Sequence, residues 1–330
     1  MEKPKIVHDR SGKICAINCN SSPSTDQRPR PVGLISEPLQ RFISSSLSAG
    51  TQRGYAADLD HFRASGRDIP CLPHALAEYL ADLAETHAIA TIQRRLAAIA
   101  KAHRALGHDD PCGAEIVKTT MSGIRRTKGM AQREARALQR DDLFAVLDRI
   151  GERPIDIRDR ALLLIGFAGA FRRSELVGFD CGDVEPVGRG IVLHLRRSKT
   201  DQTGQGRKIA IPHGRTRWCP IRHLTDWLTF AGIEQGPIFR SIDRHGNIAP
   251  DRLSAEAVST ILKKRVEAAG FDPATFSGHS LRAGLATSAA MAGASSWKIR
   301  QQTGHKSDAM LARYIRDGDI FTDNAAGTVL

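Results

Sequence analysis

The stretch IVLHLRRSKTDQTGQGRKIAIP, Ile191 to Pro212, constrains the architecture most, because it carries the one convincing strand signal in the chain. Ile191, Leu193 and Leu195 alternate with other residues, as do Ile209 and Ile211, so each set falls on one face of an extended segment. Gly204 and Gly206 lie between the two runs, where a hairpin turn reverses the backbone. Elsewhere the apolar residues recur at three- and four-residue spacing, which is the helical period. The expected fold class is therefore mainly α with a small β-sheet or hairpin.

Residues 1–33, which include NCNSSPSTDQRPRPVG, show neither period and read as a mobile tail. From Ser36 the pattern turns helical: Leu39, Phe42 and Ile43 begin an apolar face, and Tyr55, Leu59 and Phe62 continue one behind Thr51, the expected N-cap. A helix after Pro73 places Leu76, Tyr79, Leu80 and Leu83 on one side. The segment TIQRRLAAIAKAHRALG, with Thr91 as its expected cap, predicts Leu96, Ile99, His103 and Leu106 inward and Arg94, Arg95, Lys101 and Arg104 outward. A further helix, AEIVKTTMSGIRR, closes an all-helical unit over 34–128. The basic run RRTKGMAQREARAL is poor in large apolar residues and reads as an exposed linker, with the domain junction at 129–137.

The second unit, 138–330, opens with a helix whose apolar face is Leu143, Val146, Leu147 and Ile150 behind Asp141 and Asp142. Further helices are expected at 158–169, 217–230, 254–269, 280–292, 296–303 and 308–316. The longest apolar run, ALLLIGFAGAF, falls short of the roughly 18 residues that span a bilayer and fits a buried helix.

A chain of 330 residues with 41% hydrophobic and 25% charged residues suits two soluble globular domains. Its net charge of +12 implies a polyanionic partner, for which nucleic acid is the usual candidate, although membrane surfaces and ribosomes would satisfy the same charge. The start, MEKPKIVHDR, lacks the apolar stretch of a secretory signal. Cys15, Cys19, Cys71, Cys112, Cys181 and Cys219 form no CxxC pair, which argues against a zinc site or disulfide framework. A reduced, cytoplasmic protein without membrane attachment or metal is expected.

Four groups carry chemistry. In FRRSELVGF, Arg172 and Glu175 stand at i and i+3, as a structural ion pair or as an anion site. Lys199, near the hairpin turn, is either a solvated residue or a point charge that can swing into a neighbouring site. Around it Arg189, Arg196, Arg197, Arg207 and Lys208 make the hairpin a candidate phosphate-contacting arm. In FSGHSLRAG, Ser277 can cap a helix with His279 and Arg282 in its first turns, where the dipole attracts anions. Finally, in TGHKSDAMLARYIR, Gly304 and the Ser307–Asp308 pair suggest a helix stop and a new start, so that Tyr314 can fold back toward His305. Two arginines, a lysine, two histidines and a tyrosine without a carboxylate cluster suit phosphoryl transfer with guanidinium forks neutralising charge and a tyrosine nucleophile.

Over about 36–320 this ordered set resembles the tyrosine recombinase (phage integrase) family. AFRRSEL resembles its first arginine box, RRSKTD its hairpin lysine segment, HSLR its His-x-x-Arg box, TGHKS the following histidine box and LARYIR the nucleophile segment. One departure is Ala283, where many relatives carry histidine. The resemblance implies a two-domain DNA clamp that cleaves and rejoins DNA through a 3′-phosphotyrosine, without metal, ATP or any cofactor. It implies Arg172, Glu175, Lys199, His279, Arg282, His305 and Tyr314 as the catalytic set, with Tyr314 as nucleophile. It also implies a specific double-stranded DNA site, a homo-oligomer on DNA with a tetrameric synapse, and a docking tail after Tyr314 carrying Ile320, Phe321, Val329 and Leu330. Basic residues expected on DNA are Arg94, Arg95, Lys101, Arg104, Arg125, Arg126 and Lys128 in the helical domain and Arg196, Arg197, Arg207 and Lys208 on the hairpin. The same chemistry belongs to type IB topoisomerases, and a non-catalytic DNA-binding accessory factor would share the charge; the separate helical domain and the docking tail favour a recombinase over the first, and the full residue set over the second. Association with the nucleoid is then expected.

Overall fold

The computed structural model describes residues 46–129, 135–196 and 206–305, together with a two-residue antiparallel pairing of Val7–His8 with Ile14–Cys15 inside the stretch read as a tail. The expected helices over Leu39–Ile43 and 308–316, and the turn at Gly204, lie outside the described residues. The chain divides into two compact units, Met1–Ala131 and Gln132–Leu330. Among the described residues no helix is long and apolar enough to cross a membrane.

The first unit is helical: α1 (Ala49–Ala64), α2 (Pro73–Thr86), α3 (Ile89–Ala105) and α4 (Glu115–Lys128). Its core gathers Phe62, Leu76, Tyr79, Leu80, Ile92, Ile99, Val117 and Met121. The cap of helix α1 falls three residues before the expected one, because Ser48 Oγ accepts from the Thr51 N–H at 3.2 Å. Pro73 stands at the first position of α2, where its missing N–H costs nothing. Helix α3 begins ahead of Thr91, after the extended Ala88. Helix α4 ends with Arg125, Arg126 and Lys128 against the negative end of its dipole, so the helix takes in the start of the basic run read as linker.

The inward stripe of α3 differs from the expected one. Ile92, Arg95, Ile99 and His103 are buried, while Leu106 is 62% exposed at the C-cap. Arg95 lies one turn from both Ile92 and Ile99, so the packing that buries those two draws it in. It is held there by His61, 3.1 Å from Nη1, and by Asp58, 3.6 Å from Nε. Arg94 reaches the same carboxylate bidentately, at 2.8 Å for both bonds.

In the second unit, α5 (Arg140–Asp148) leads to α6 (Pro154–Ala168), whose segment Ala161–Gly166 is buried on every side. Helix α7 (Arg173–Gly178) follows a sharp turn. Strands β1 (Val184–Val187), β2 (Gly190–Leu195) and β3 (Arg207–Pro212) form an antiparallel sheet in the order β1-β2-β3. The register sets Ile191 opposite Ile211 and Leu193 opposite Ile209, all buried. Strand β1 escaped the sequence reading because VEPV lies at the sheet edge and buries none of its four residues. A second hairpin, β4 (Arg240–Ile242) and β5 (Ile248–Arg252), also lacks apolar alternation. Helices α8 (Pro220–Phe230), α9 (Ala255–Ala268), α10 (Ser280–Met291) and α11 (Ser296–Thr303) complete the unit.

Buried charge joins three of these elements. Arg265 on α9 contacts Asp156 and Asp159 on α6 at 2.7 and 2.6 Å, and Arg158 contacts Asp159 at 2.6 Å and the Arg240 carbonyl at 3.3 Å. Burial alone would raise the Asp156 pKa, but hydrogen bonds from Arg153 and Arg265 outweigh it and hold the carboxyl below its ordinary value. On α10, Gly284 permits a second close approach. A Cβ there would lie 1.8 Å from the Leu138 carbonyl oxygen, so only glycine lets the incoming chain lie directly on this helix.

Candidate active site

The site forms where α6 ends. Gly169 closes the helix, and Ala170 then takes φ 49°, a left-handed conformation that costs a non-glycine residue about 1–2 kcal/mol. That turn aims the chain at Arg172, which is the N-cap of α7. Glu175 serves two donors there: Oε2 accepts from the Arg172 backbone N–H at 2.9 Å, and Oε1 from Arg172 Nη1 at 2.6 Å. With its side chain 2% exposed, Glu175 holds the guanidinium while capping the helix; the Arg172 side chain keeps 14% exposure.

Arg282 arrives from the first turns of α10 and is buried. Its Nη1 donates to the Ala170 carbonyl at 2.8 Å, so the strained turn is tied to the second arginine. His279 is the exposed N-cap of the same helix, one turn before Arg282, and Ser277 Oγ accepts from its backbone N–H at 3.2 Å.

His305 follows Gly304, which ends α11 with φ 69°. The expected helix stop is thus present, and His305 occupies the next position, buried, with Nδ1 2.8 Å from Thr303 Oγ1. Burial, then the charges of Arg282, Arg172 and Arg207, lower the His305 pKa to about 4, so the ring is neutral at physiological pH. Those three charges come from three different elements, and their joint action on one imidazole marks a concentrated cationic site. Two tautomers satisfy the Thr303 contact. Either Nδ1–H donates to the hydroxyl, whose own proton goes to the Ile299 carbonyl at 2.8 Å, or the hydroxyl leaves that carbonyl and donates to Nδ1, and Nε2–H becomes a donor.

Lys199 and Tyr314 lie outside the described residues, as does Arg197. The other proposed DNA-contact residues separate into groups. Lys101, Arg104, Arg125, Arg126, Lys128 and Lys208 are exposed. Lys128 also donates to the Ala84 carbonyl. Arg94 is exposed but committed to Asp58, and Arg196 is committed to Asp183 at 2.7 Å. Arg95 is buried and does not belong to an outer basic face. Arg207 turns away from the hairpin's outer edge toward the end of α11, where Nη1 donates to the carbonyls of Gln301 and Gln302 at 3.0 and 2.9 Å. Sequence reasoning missed this placement and that of Ala170; the only available signal for the first was Gly304, the glycine against which Arg207 lies.

Two arginines, a supporting carboxylate and a neutral histidine brought close together can neutralise and orient a phosphodiester. The chain belongs to the phage integrase family, whose model matches residues 136–319, and it is a tyrosine recombinase acting in site-specific DNA recombination. It is 39% identical over 296 residues to the integrase/recombinase xerD homolog of Selenomonas ruminantium, covering 87% of each chain. It is 28% identical over 273 residues to the recombinase cre of Escherichia phage P1, covering 77% of this chain and 78% of that one. Its fold matches lambda integrase residues 75–356 bound to DNA, with a TM-score of 0.61 and 20% identity over 86% of this chain and 95% of that one.

Proposed function

We propose that the protein cleaves and rejoins double-stranded DNA at a specific site through a 3′-phosphotyrosine formed by Tyr314, without metal or ATP. The observation that carries this reading is the convergence of Arg172, held by Glu175, with Arg282 and His305 from three separate elements. Arg172 and Arg282 bind the non-bridging oxygens of the scissile phosphate. His305 donates from Nε2 to a phosphate oxygen, which requires the Thr303 hydroxyl to turn from the Ile299 carbonyl and donate to Nδ1. His279, exposed at the helix mouth, manages the tyrosine proton, and Lys199 protonates the departing 5′-oxygen. The phosphotyrosine conserves the bond energy, so a 5′-hydroxyl of another strand reverses the attack.

The helical unit and the catalytic unit act as a clamp on duplex DNA, with Lys101, Arg104, Arg125 and Arg126 supplying salt-dependent affinity. Assembly on DNA is homo-oligomeric, as a tetrameric synapse; one structural neighbour is a lambda integrase tetramer bound to a Holliday junction. A groove of about 450 Å³ in the catalytic unit, lined by Phe144, Phe167, Trp218 and Ile299 and rimmed by Arg140 and Lys298, suits the tail after Tyr314 of a neighbouring copy. That tail pairs Ile320, Phe321, Val329 and Leu330 with Asp317, Asp319 and Asp323.

The test is a duplex nicked beside the cleavage site, which traps covalent protein. The native chain accumulates adduct and Tyr314→Phe accumulates none; adduct with the Phe variant assigns the nucleophile elsewhere. Relaxation of supercoiled plasmid by a monomer, with no exchange between sites, would replace recombination by a topoisomerase activity.

A further inference from the structure

We infer that Arg207 is a positioning residue that couples the base of the β2–β3 hairpin to the His305 turn, rather than a contact to DNA phosphate. This rests on the catalytic reading above. Arg207 opens β3, directly opposite Leu195 at the end of β2, at the end of the sheet next to the 196–206 stretch that contains Lys199. From there its side chain crosses to α11 and donates from Nη1 to the carbonyls of Gln301 and Gln302. These are among the last carbonyls of that helix, which lack partners of their own and present the negative end of the dipole.

The fit is close. A Cβ on Gly304 would lie 2.7 Å from Arg207 Nη1 and 2.8 Å from Cζ, so the guanidinium lies on the turn that delivers His305. The left-handed Gly304 thus serves both the chain reversal and this contact. Gln302 fastens the same helix end from the other side, its Nε2 donating to the carbonyls of Ala168 and Ala210 at 2.8 and 3.3 Å. Ala168 ends α6 just before the Arg172 turn, and Ala210 lies on β3. The Arg207–Gln302 pair therefore ties together the end of α6 that leads to Arg172, strand β3 and the turn that delivers His305.

The electrostatics agree with an inward role. Burial lowers the Arg207 pKa, Glu175 raises it and Arg172 lowers it further, so its charge is read by the catalytic pair. Its charge in turn helps to hold His305 neutral.

The experiment compares Arg207→Ala, Arg207→Gln and Arg207→Lys with the native chain on the nicked duplex, at saturating DNA and across pH, with DNA affinity measured at several salt concentrations. The Ala and Gln variants are expected to form adduct about 10- to 100-fold more slowly, since a displacement near 1 Å at a catalytic group costs that much. Their DNA affinity should stay within about twofold and their salt slope unchanged, because no phosphate contact is removed. The acid limb of the rate should move to higher pH, since loss of a neighbouring cation makes protonated His305 less costly. Lysine keeps a charge at the helix end and should recover part of the rate. A native rate and pH profile in Arg207→Ala would overturn the proposal. So would a loss confined to affinity with a shallower salt slope. If Arg207→Ala does not fold, Arg207→Lys decides by the same readouts. Absence of adduct with the native chain defeats the catalytic reading itself, and is thereby distinguished from failure of the Arg207 role alone.

Discussion

Gly284→Ala tests how the catalytic unit holds its second arginine. On an isolated helix this change is favourable by about 1 kcal/mol, because alanine loses less backbone freedom on folding. Here the added Cβ would lie 1.8 Å from the Leu138 carbonyl oxygen and 2.5 Å from its carbon. Either the 136–138 segment or α10 must therefore give way by roughly 1–1.5 Å. That displacement breaks the bond from the Leu138 N–H to the Ser280 carbonyl, now 3.0 Å, worth about 1 kcal/mol. It also lifts Leu138, fully buried, partly out of the core, at about 1–2 kcal/mol. The neighbouring Arg136 stacks over Phe271 and Phe276 at 5.3 and 5.4 Å and resists the shift. After the helix gain is subtracted, a net loss of about 1–2 kcal/mol remains. Urea unfolding of the catalytic unit, followed through its tryptophans, measures it directly. Because α10 carries His279 and Arg282, adduct formation on a nicked duplex should slow in the same variant. A variant as stable as the native chain, or more stable, would show that Leu138 yields freely, and the argument from close packing would be refuted.

Three further outcomes follow from the charges. The His305 pKa of about 4 lies below its unfolded value of 6.5, so the neutral ring's contribution is complete above 6.5 and is lost as pH falls from there through about 4. Urea midpoints of the native chain should consequently drop more between pH 7 and pH 4 than those of His305→Asn, and equal slopes would remove the buried imidazole from the account. In the helical unit, Arg95→Ala should destabilise by about 1–3 kcal/mol while leaving the salt dependence of DNA binding unchanged, because it strips a partner from buried Asp58. Lys101→Ala should do the reverse, with near-native stability and a shallower salt slope, and exchanged results would mean that the α3 face is misassigned.

Helix periodicity alone placed α2, α9, α10 and α11 within about two residues, and alternation placed β2 and β3. These elements bury one face strongly, so their apolar spacing is a direct record of the core. Strand β1 and the β4–β5 hairpin left no such record, because they lie at edges and pair through backbone groups that any residue supplies. The α3 stripe was misread by about one position for a similar reason. A pattern of small alanines fits two adjacent faces, and only the packing that buries Ile92 and Ile99 selects the one containing Arg95.

Much of the site was legible because its residues stand beside backbone breaks that have their own signals: Gly169 before Arg172, Ser277 before His279 and Gly304 before His305. The identity and order of the candidate groups are thus properties of the sequence. Their convergence is not. Arg172, Arg282 and His305 are separated by more than a hundred residues along the chain between the first and the second, and no local pattern encodes the Arg282 bond to the Ala170 carbonyl. Nor does any encode the reach of Arg207 to the end of α11, or the left-handed turn of an alanine where glycine would be expected. Those features are set by which helices share a core and how closely Gly284 lets them approach. Local sequence determines which conformations each segment prefers; long-range packing alone determines where its polar tips meet, because that depends on contacts whose partners are remote in sequence.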